Sequence, residues 1–545
     1  MTAQETPRRR VLAGLGLLGA AVTVPLAAAT PAEASLTKPN DLNAYPAIAY
    51  GAIADGVADD AAALQRAIDA AAAAGGGTVH LAAGHRYLIG TSLKLKSGVA
   101  LVSDRSRASI VLTAGYGEPQ VISATGVSTV ALRNLKIMCD ERPSLVAGVL
   151  VTGGTDVLVD NVHVEGISAG TYDIESGEAS SALIRFLNSR RVQITGCRVT
   201  KAYVGINIAG NSSHVTIDDC DVHDVTQFGV HVLGNATSHT EHLTVSRCRL
   251  ERIGGTFPQV GYPIYITAGG NKQSLHKHRY VRAMDNSVVG NRKAYGKGGN
   301  ADLLAVYDIF DGVFERNVLF YGGDAGLSTD RCRKLVIANN IVGYCNTVGI
   351  NVWQSNDVTV VGNVVYNNYQ NYGGGLSVEA RGGIRTYARA GFKAENVVIT
   401  GNRCFDDQQT KTQDYGIFIH ERTKGVDIGA NTLTGNKEGM FKTGSKENIT
   451  YSFVVTLDAL PTTGYWEKGM VVQLRDPAPG QPLRWVCVVA DTPGTWRPEA
   501  AQGVPASITA VPSYQGQLAL QGAALYVATG TASAADWRKV ADLPA

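Results

Sequence analysis

Charge imbalance is the first thing missing from this 545-residue chain: 49 Lys plus Arg against 47 Asp plus Glu leave a net charge of only +2. That balance gives no reason to expect nucleic acid or an anionic membrane as a partner. Charged residues are also scarce, at 18%, and prolines number only 18, while 45% of the chain is hydrophobic. This composition excludes a disordered chain, a collagen and a long coiled coil. The eight cysteines contain no C-x-x-C pair, so no zinc site is expected. Also absent are G-x-S-x-G, H-E-x-x-H and a phosphate-binding glycine loop in a fitting context, which removes serine-hydrolase, zincin and P-loop chemistry. Glycine, in contrast, is abundant at 62. A chain far longer than one ordinary domain avoids many separate cores most simply by being a repeat.

The N-terminus reads as an address. Arg8, Arg9 and Arg10 precede Val11 and Leu12, an apolar run broken by Gly14, Gly16, Gly19 and Pro25 follows, and Ala32-Glu33-Ala34 forms an A-x-A cleavage site. The pattern resembles a bacterial twin-arginine signal, which implies removal of residues 1–34 and a secreted, extracellular protein. The run is too short and too glycine-broken to span a bilayer, and no other stretch is long enough.

From about residue 130 to 433 one pattern recurs: apolar, any, apolar, two residues, Cys or Asn, any, apolar. Val192-x-Ile194-x-x-Cys197-x-Val199, Val215-x-Ile217-x-x-Cys220-x-Val222 and Leu243-x-Val245-x-x-Cys248-x-Leu250 are followed by copies with Asn at 286, 340, 363, 402 and 431, and a less regular one with Asn317. The shortest interval is 23 residues. Period-two alternation indicates strand, and a fixed period above about 20 residues indicates a solenoid. The expected fold is all-β, a right-handed parallel β-helix in which Cys197, Cys220 and Cys248 form an inward ladder of free thiols continued by a ladder of asparagines.

Ahead of the repeats stand Tyr50-Gly51-Ala52, Asp55-Gly56, Asp59-Asp60, apolar residues Leu64, Ala67, Ile68 and Ala71 at helical spacing, and Gly75-Gly76-Gly77-Thr78-Val79. Asp59 is the expected N-cap and the glycines the stop of a short helix covering the open end of the coil. The segment resembles the N-terminal cap of the pectate-lyase-like β-helix superfamily, which includes polysaccharide lyases, glycoside hydrolases, uronan epimerases and phage tailspikes. The resemblance covers residues 43 to 440. It implies a catalytic β-helix over 35–445, capped by 43–95, with a polysaccharide as partner and a monomer or homotrimer as assembly. Residues 446–545 hold Trp466, Trp485, Trp496 and Trp537 and read as a small β module, its tryptophans forming a core or a sugar-stacking surface.

A second strand type, Gly-Ile/Val-x-Ile/Val, precedes the ladder strands, and its second and fourth residues should face outward together. Reading the fourth place gathers Asp308, Asp330, Trp353, Glu379 and His420 over neighbouring rungs, and the second place supplies Tyr265. Adjacent rungs lie roughly 4.8 Å apart, so these carboxyls suit either retaining or inverting glycoside hydrolysis. The first expectation is therefore a glycoside hydrolase with Asp330 and Glu379 as acid and base, Asp308 as modulator, Trp353 stacking on sugar and no required cofactor. The alternative is a polysaccharide lyase or uronan epimerase, with Arg381 neutralising a uronate and His420 or Lys297 as base, Ca²⁺ being held by the same acids. A third reading is a non-enzymatic glycan-binding β-helix.

Overall fold

The computed structural model describes residues 43–542 apart from 174–177, 236, 255–260, 269–276, 294–300, 373–380, 446, 453, 463–465, 479–481, 501–507, 510, 513–514 and 522–523. The arginine-led segment 1–34, Lys297 and Glu379 lie outside the described residues. The coil opens with a cap: the helix Ala61–Ala73 buries Leu64, Ala67, Ile68 and Ala71. Its N-cap is Asp60 rather than Asp59. The Asp60 carboxylate accepts the backbone N–H groups of Ile53 (2.7 Å) and Ala54 (3.0 Å), and Asp59 accepts those of Ala61 (2.9 Å) and Gly90 (3.1 Å). The acidic motif thus ties the cap to the first rungs and leaves no carboxylate for chemistry.

Beyond the cap the chain winds into a right-handed parallel β-helix. One 15-stranded sheet carries the Val-x-Ile repeat, with Val192, Val215, Leu243 and Val281 in register on successive rungs. The remaining two faces are short strands that join into a 25-stranded sheet. Inward residues such as Val215, Ile217, Leu319, Leu327 and Val352 are at most 1% exposed and form one core running the length of the coil. Where a glycine precedes a strand of the third face it answers a close approach: a Cβ on Gly326 would meet Val342 Cγ1 at 2.2 Å and the Gly349 carbonyl oxygen at 2.8 Å.

The turn ladders form as the repeat implies. Asn317 Oδ1 accepts from the backbone N–H (3.2 Å) and side-chain amide (2.9 Å) of Asn286, and Asn340, Asn363, Asn402 and Asn431 repeat the arrangement up the coil. Every buried turn amide is thereby satisfied by the rung above it. Cys197, Cys220 and Cys248 are buried free thiols at the equivalent places, with Sγ turned to backbone carbonyls. Burial pushes the Cys197 thiol well above its ordinary value, which suits an inert core group.

After the last rung come a four-stranded and a three-stranded sheet. Trp466, Met470, Val472 and Leu474 belong to the same buried cluster as the coil interior, with Trp485 and Trp496 packed against it. Trp537 fills the core of the smaller sheet. The tryptophans of this segment are packing residues, and the first sheet continues the coil's core.

Candidate active site

The third face presents strands Leu304–Tyr307, Leu327–Asp330, Ile350–Trp353, Gly382–Tyr387 and Tyr415–Ile419. In-register pairing stacks Tyr307, Asp330, Trp353 and Tyr387 in one outward column, which His420 extends one residue past the last strand. Ala305, Ser328, Asn351, Arg385 and Phe418 form the second column. Asp330, Trp353 and His420 therefore hold their expected places, while Asp308 does not.

Asp308 is not in the column. Tyr307 occupies that register position, and Asp308 is the next residue, buried in a left-handed turn at φ +58°. Its carboxylate accepts Arg331 Nε at 3.1 Å and Nη2 at 2.8 Å, with Lys277 Nζ at 3.5 Å. Tyr387, on the strand Gly382–Tyr387, holds the register place beside Trp353, and Glu379 lies outside the described residues. Tyr265 is on the outward face but only 4% exposed, stacked on His231 and Tyr262 at centroid distances of 5.6 and 4.6 Å. It offers no surface to a sugar. Arg381 is drawn to the strand's entry by buried Asp414, at 3.1 Å, and Arg385 is the arginine of the second outward column.

Asp330 keeps little freedom. Gln354 Nε2 donates to it at 2.7 Å and Arg331 Nη1 binds its other oxygen. Burial raises its pKa, against the Arg331 charge and the Gln354 hydrogen bond, which lower it. Arg331 thus bridges Asp308 and Asp330, and these two acids do not fit a Ca²⁺ because the guanidinium already stands between them. Among the described residues no group of three or more His, Cys, Asp or Glu is gathered to hold a metal. Trp353 lies edge-on to Tyr387 at 5.5 Å, with the Arg389 guanidinium 4.6 Å above its ring, and its indole N–H is buried with no hydrogen-bond partner. His420 is 5% exposed beneath the Tyr387 ring at 4.3 Å, its Nδ1 accepting the Arg422 N–H.

A different carboxyl pair emerges at the strand entries. Asp302 precedes Leu304 and Asp324 precedes Leu327 on the next rung, where the Ala325 N–H donates to Asp302 at 3.0 Å and the Asp324 N–H to the Ala301 carbonyl at 3.2 Å. Small Ala305 lets the Tyr307 ring lie back along its own strand, so that its hydroxyl donates to Asp302 at 3.0 Å. Burial, then the Asp324 charge, push Asp302 up to about 8, and the same burial raises Tyr307 well above its ordinary value. Asp324 is half-buried and accepts the Thr347 hydroxyl at 2.6 Å. Arg385 donates from Nε to Asn351 at 3.1 Å, sits over Tyr387 at 5.1 Å, and its charge reaches Asp302. Neither Asp302 nor Asp324 lies on a repeat position, and they stand at unequal distances ahead of the leucines that open the two strands, so no sequence signal locates them.

Residues 47–250 match the family model described as rhamnogalacturonase A/epimerase, pectate lyase-like, and residues 299–453 match that of the right handed beta helix region. Mannuronan C5-epimerase AlgE1 of Azotobacter vinelandii is 28% identical over 283 residues, which are 50% of this chain and 17% of that protein. AlgE5 of the same organism, also a mannuronan C5-epimerase, is 52% identical over 59 residues, 10% of this chain and 6% of its own. The chain therefore spans 17% or less of the length of these two relatives. Tailspike protein 3 of bacteriophage CBA120 shares the fold at a TM-score of 0.52 and 13% identity, over 84% of this chain and 69% of that one.

Proposed function

We propose that this right-handed parallel β-helix protein, whose residues 47–250 match a pectate lyase-like family model, is a polysaccharide-modifying enzyme acting on a glycan that carries uronic acid. Its reaction begins with removal of the proton beside the sugar carboxylate, as in an epimerase or a lyase. The observation that carries this reading is the grouping of Arg385 with two neighbouring carboxyls, Asp302, which burial and its neighbour raise to about 8, and Asp324 on the next rung. A proton next to a carboxylate becomes removable when the carboxylate's charge is neutralised, which is the role assigned to Arg385 with Asn351 beside it. Asp302, kept protonated by burial and by its neighbour, is the acid; Asp324 is the acceptor; Tyr307 orients Asp302 through its hydroxyl. Trp353, in the outward column beside Asp330, offers its indole ring to a bound sugar. Similarity over half of the chain to proteins named mannuronan C5-epimerases supports the same choice.

Glycoside hydrolysis is the second reading, and one observation favours it: a carboxyl raised by burial beside a second carboxyl also serves as the acid of an acid–base pair at a glycosidic bond. The pair would then be Asp302 and Asp324 in place of Asp330 and Glu379. A panel of polyuronates and neutral glucans separates the two, read for reducing ends, for absorbance of unsaturated uronate and for C5 configuration. Changed configuration or unsaturated ends on a polyuronate alone is the expected result; reducing ends without either would establish hydrolysis instead.

A further inference from the structure

The second face of the coil changes character along its length. On early rungs its outward residues are charged and mutually paired: Arg198, Asp221 and Arg249 stack in register, and Arg249 binds Glu251 at 2.7 Å. From strand Val318–Phe320 onward the same positions turn apolar and aromatic. Val318, Ile341 and Val364 form one column, Phe320, Gly343, Tyr366 and Phe405 the other, and Tyr321 and Tyr344 follow at the turn. Tyr366 stacks on Phe405 at 5.0 Å, Tyr344 meets Tyr321 and Tyr366 at 5.5 Å each, and Ile341 is 36% exposed. Cations close both ends, Arg292 3.9 Å over Tyr321 and Arg403 4.4 Å over Phe405.

The change coincides with the candidate site. Phe320 and Tyr321 are on the rung of Asp324 and Asp330, Tyr344 on that of Trp353, Tyr366 on that of Tyr387 and Phe405 on that of His420. Only the turn 321–326 separates Phe320 from strand Leu327–Asp330, and Asp324 sits in that turn. Packing inside the coil cannot explain the change, because these side chains face outward while Leu319, Val342, Val365 and Cys404 fill the interior beneath them.

We propose that this strip is a second binding surface for the polysaccharide, holding a stretch of carboxylated glycan along the coil axis beside the acid pair. The reading rests on the uronate assignment above. Sugar rings lie on aromatic faces through their C–H bonds, and Arg292 and Arg403 meet carboxylates at the two ends. A strip only four rungs long, at roughly 4.8 Å a rung, suits a single glycan chain, whereas a stable protein partner would bury about 800 Å² per side.

Affinity electrophoresis of the full chain tests this, through gels containing polymannuronate, polygalacturonate or dextran. The wild type should be retarded by one or both polyuronates and not by dextran. Two strip variants, Tyr344→Ala and the exposed pair Arg292→Ala/Arg403→Ala, should bind roughly tenfold more weakly, equivalent to about 1.4 kcal/mol. The control pair Arg198→Ala/Arg249→Ala, on the same face at earlier rungs, should bind as wild type does. Strip variants matching the wild type, an equal loss in the control pair, or retardation by dextran would overturn the proposal. So would a wild-type dimer in sedimentation that Ile341→Glu dissolves, since a second copy would then cover the strip. The uronate assignment fails separately, if polyuronates are bound through the strip but leave the enzyme chemically unchanged.

Discussion

Asp302 and Asp308 flank one four-residue strand, Leu304–Tyr307, and meet opposite environments. Asp308 is buried against Arg331 and Lys277, which makes it a structural counter-charge. Asp302 is buried beside another carboxyl, so burial and like charge both keep its proton on up to about pH 8. As the proposed acid, it should make activity fall as pH rises through about 8. Asp302→Asn should lower the rate by about 10² to 10⁴, and any residual activity should lack that alkaline limb; initial rates across pH 5 to 10 would show both. The same shift affects stability with a definite sign. A carboxyl with a folded pKa near 8 against about 3.9 unfolded takes up a proton on folding between those values, so its contribution becomes less favourable as pH rises across that window. Asp302→Asn, which mimics the protonated form, should therefore gain thermal stability relative to the wild type from pH 4 to pH 8. A melting-temperature difference that is flat with pH would contradict the burial of an ionisable pair.

At the scale of elements, the asparagine ladder is the clearest device. Asn340 accepts from the Asn317 N–H and amide at 3.0 and 2.9 Å and donates to Asn363 and the Phe314 carbonyl at 2.9 and 3.0 Å, wholly buried. Asn340→Ala leaves these groups without partners inside the coil, at a cost of about 2 to 4 kcal/mol. Urea unfolding would register it as a lower midpoint. That ladder was legible in the sequence because every rung repeats it at a fixed place after a Val-x-Ile pair. The outward column was legible where a glycine marks the strand, as at Gly326 before Asp330 and Gly349 before Trp353. It slipped by one residue at Asp308, whose strand has no such glycine, and beyond Trp353 two glycine runs, 373–375 and 382–383, compete to mark the strand that puts Tyr387 in register. Asp302 and Asp324 escaped because they stand in turns of unequal length; only the stacking of rungs brings them together.

At the scale of the whole molecule, the coil places a cation, two neighbouring carboxyls and an aromatic strip on the same few rungs. The strand-entry turns and the two outward faces come together there because each is carried upward by the same in-register pairing. The capping helix at one end and the four-stranded sheet at the other close a single continuous core, so the groove is built on a stiff scaffold whose rungs each pack on two neighbours. What this scaffold should do is exchange the proton beside a uronate carboxylate. The most direct measurement is to incubate the protein with polymannuronate and polygalacturonate in D₂O and follow the C5 position by NMR. Solvent deuterium at C5, or unsaturated chain ends, both lost in Arg385→Ala, is the predicted result. Chains that keep every C5 proton while gaining new reducing ends would contradict it.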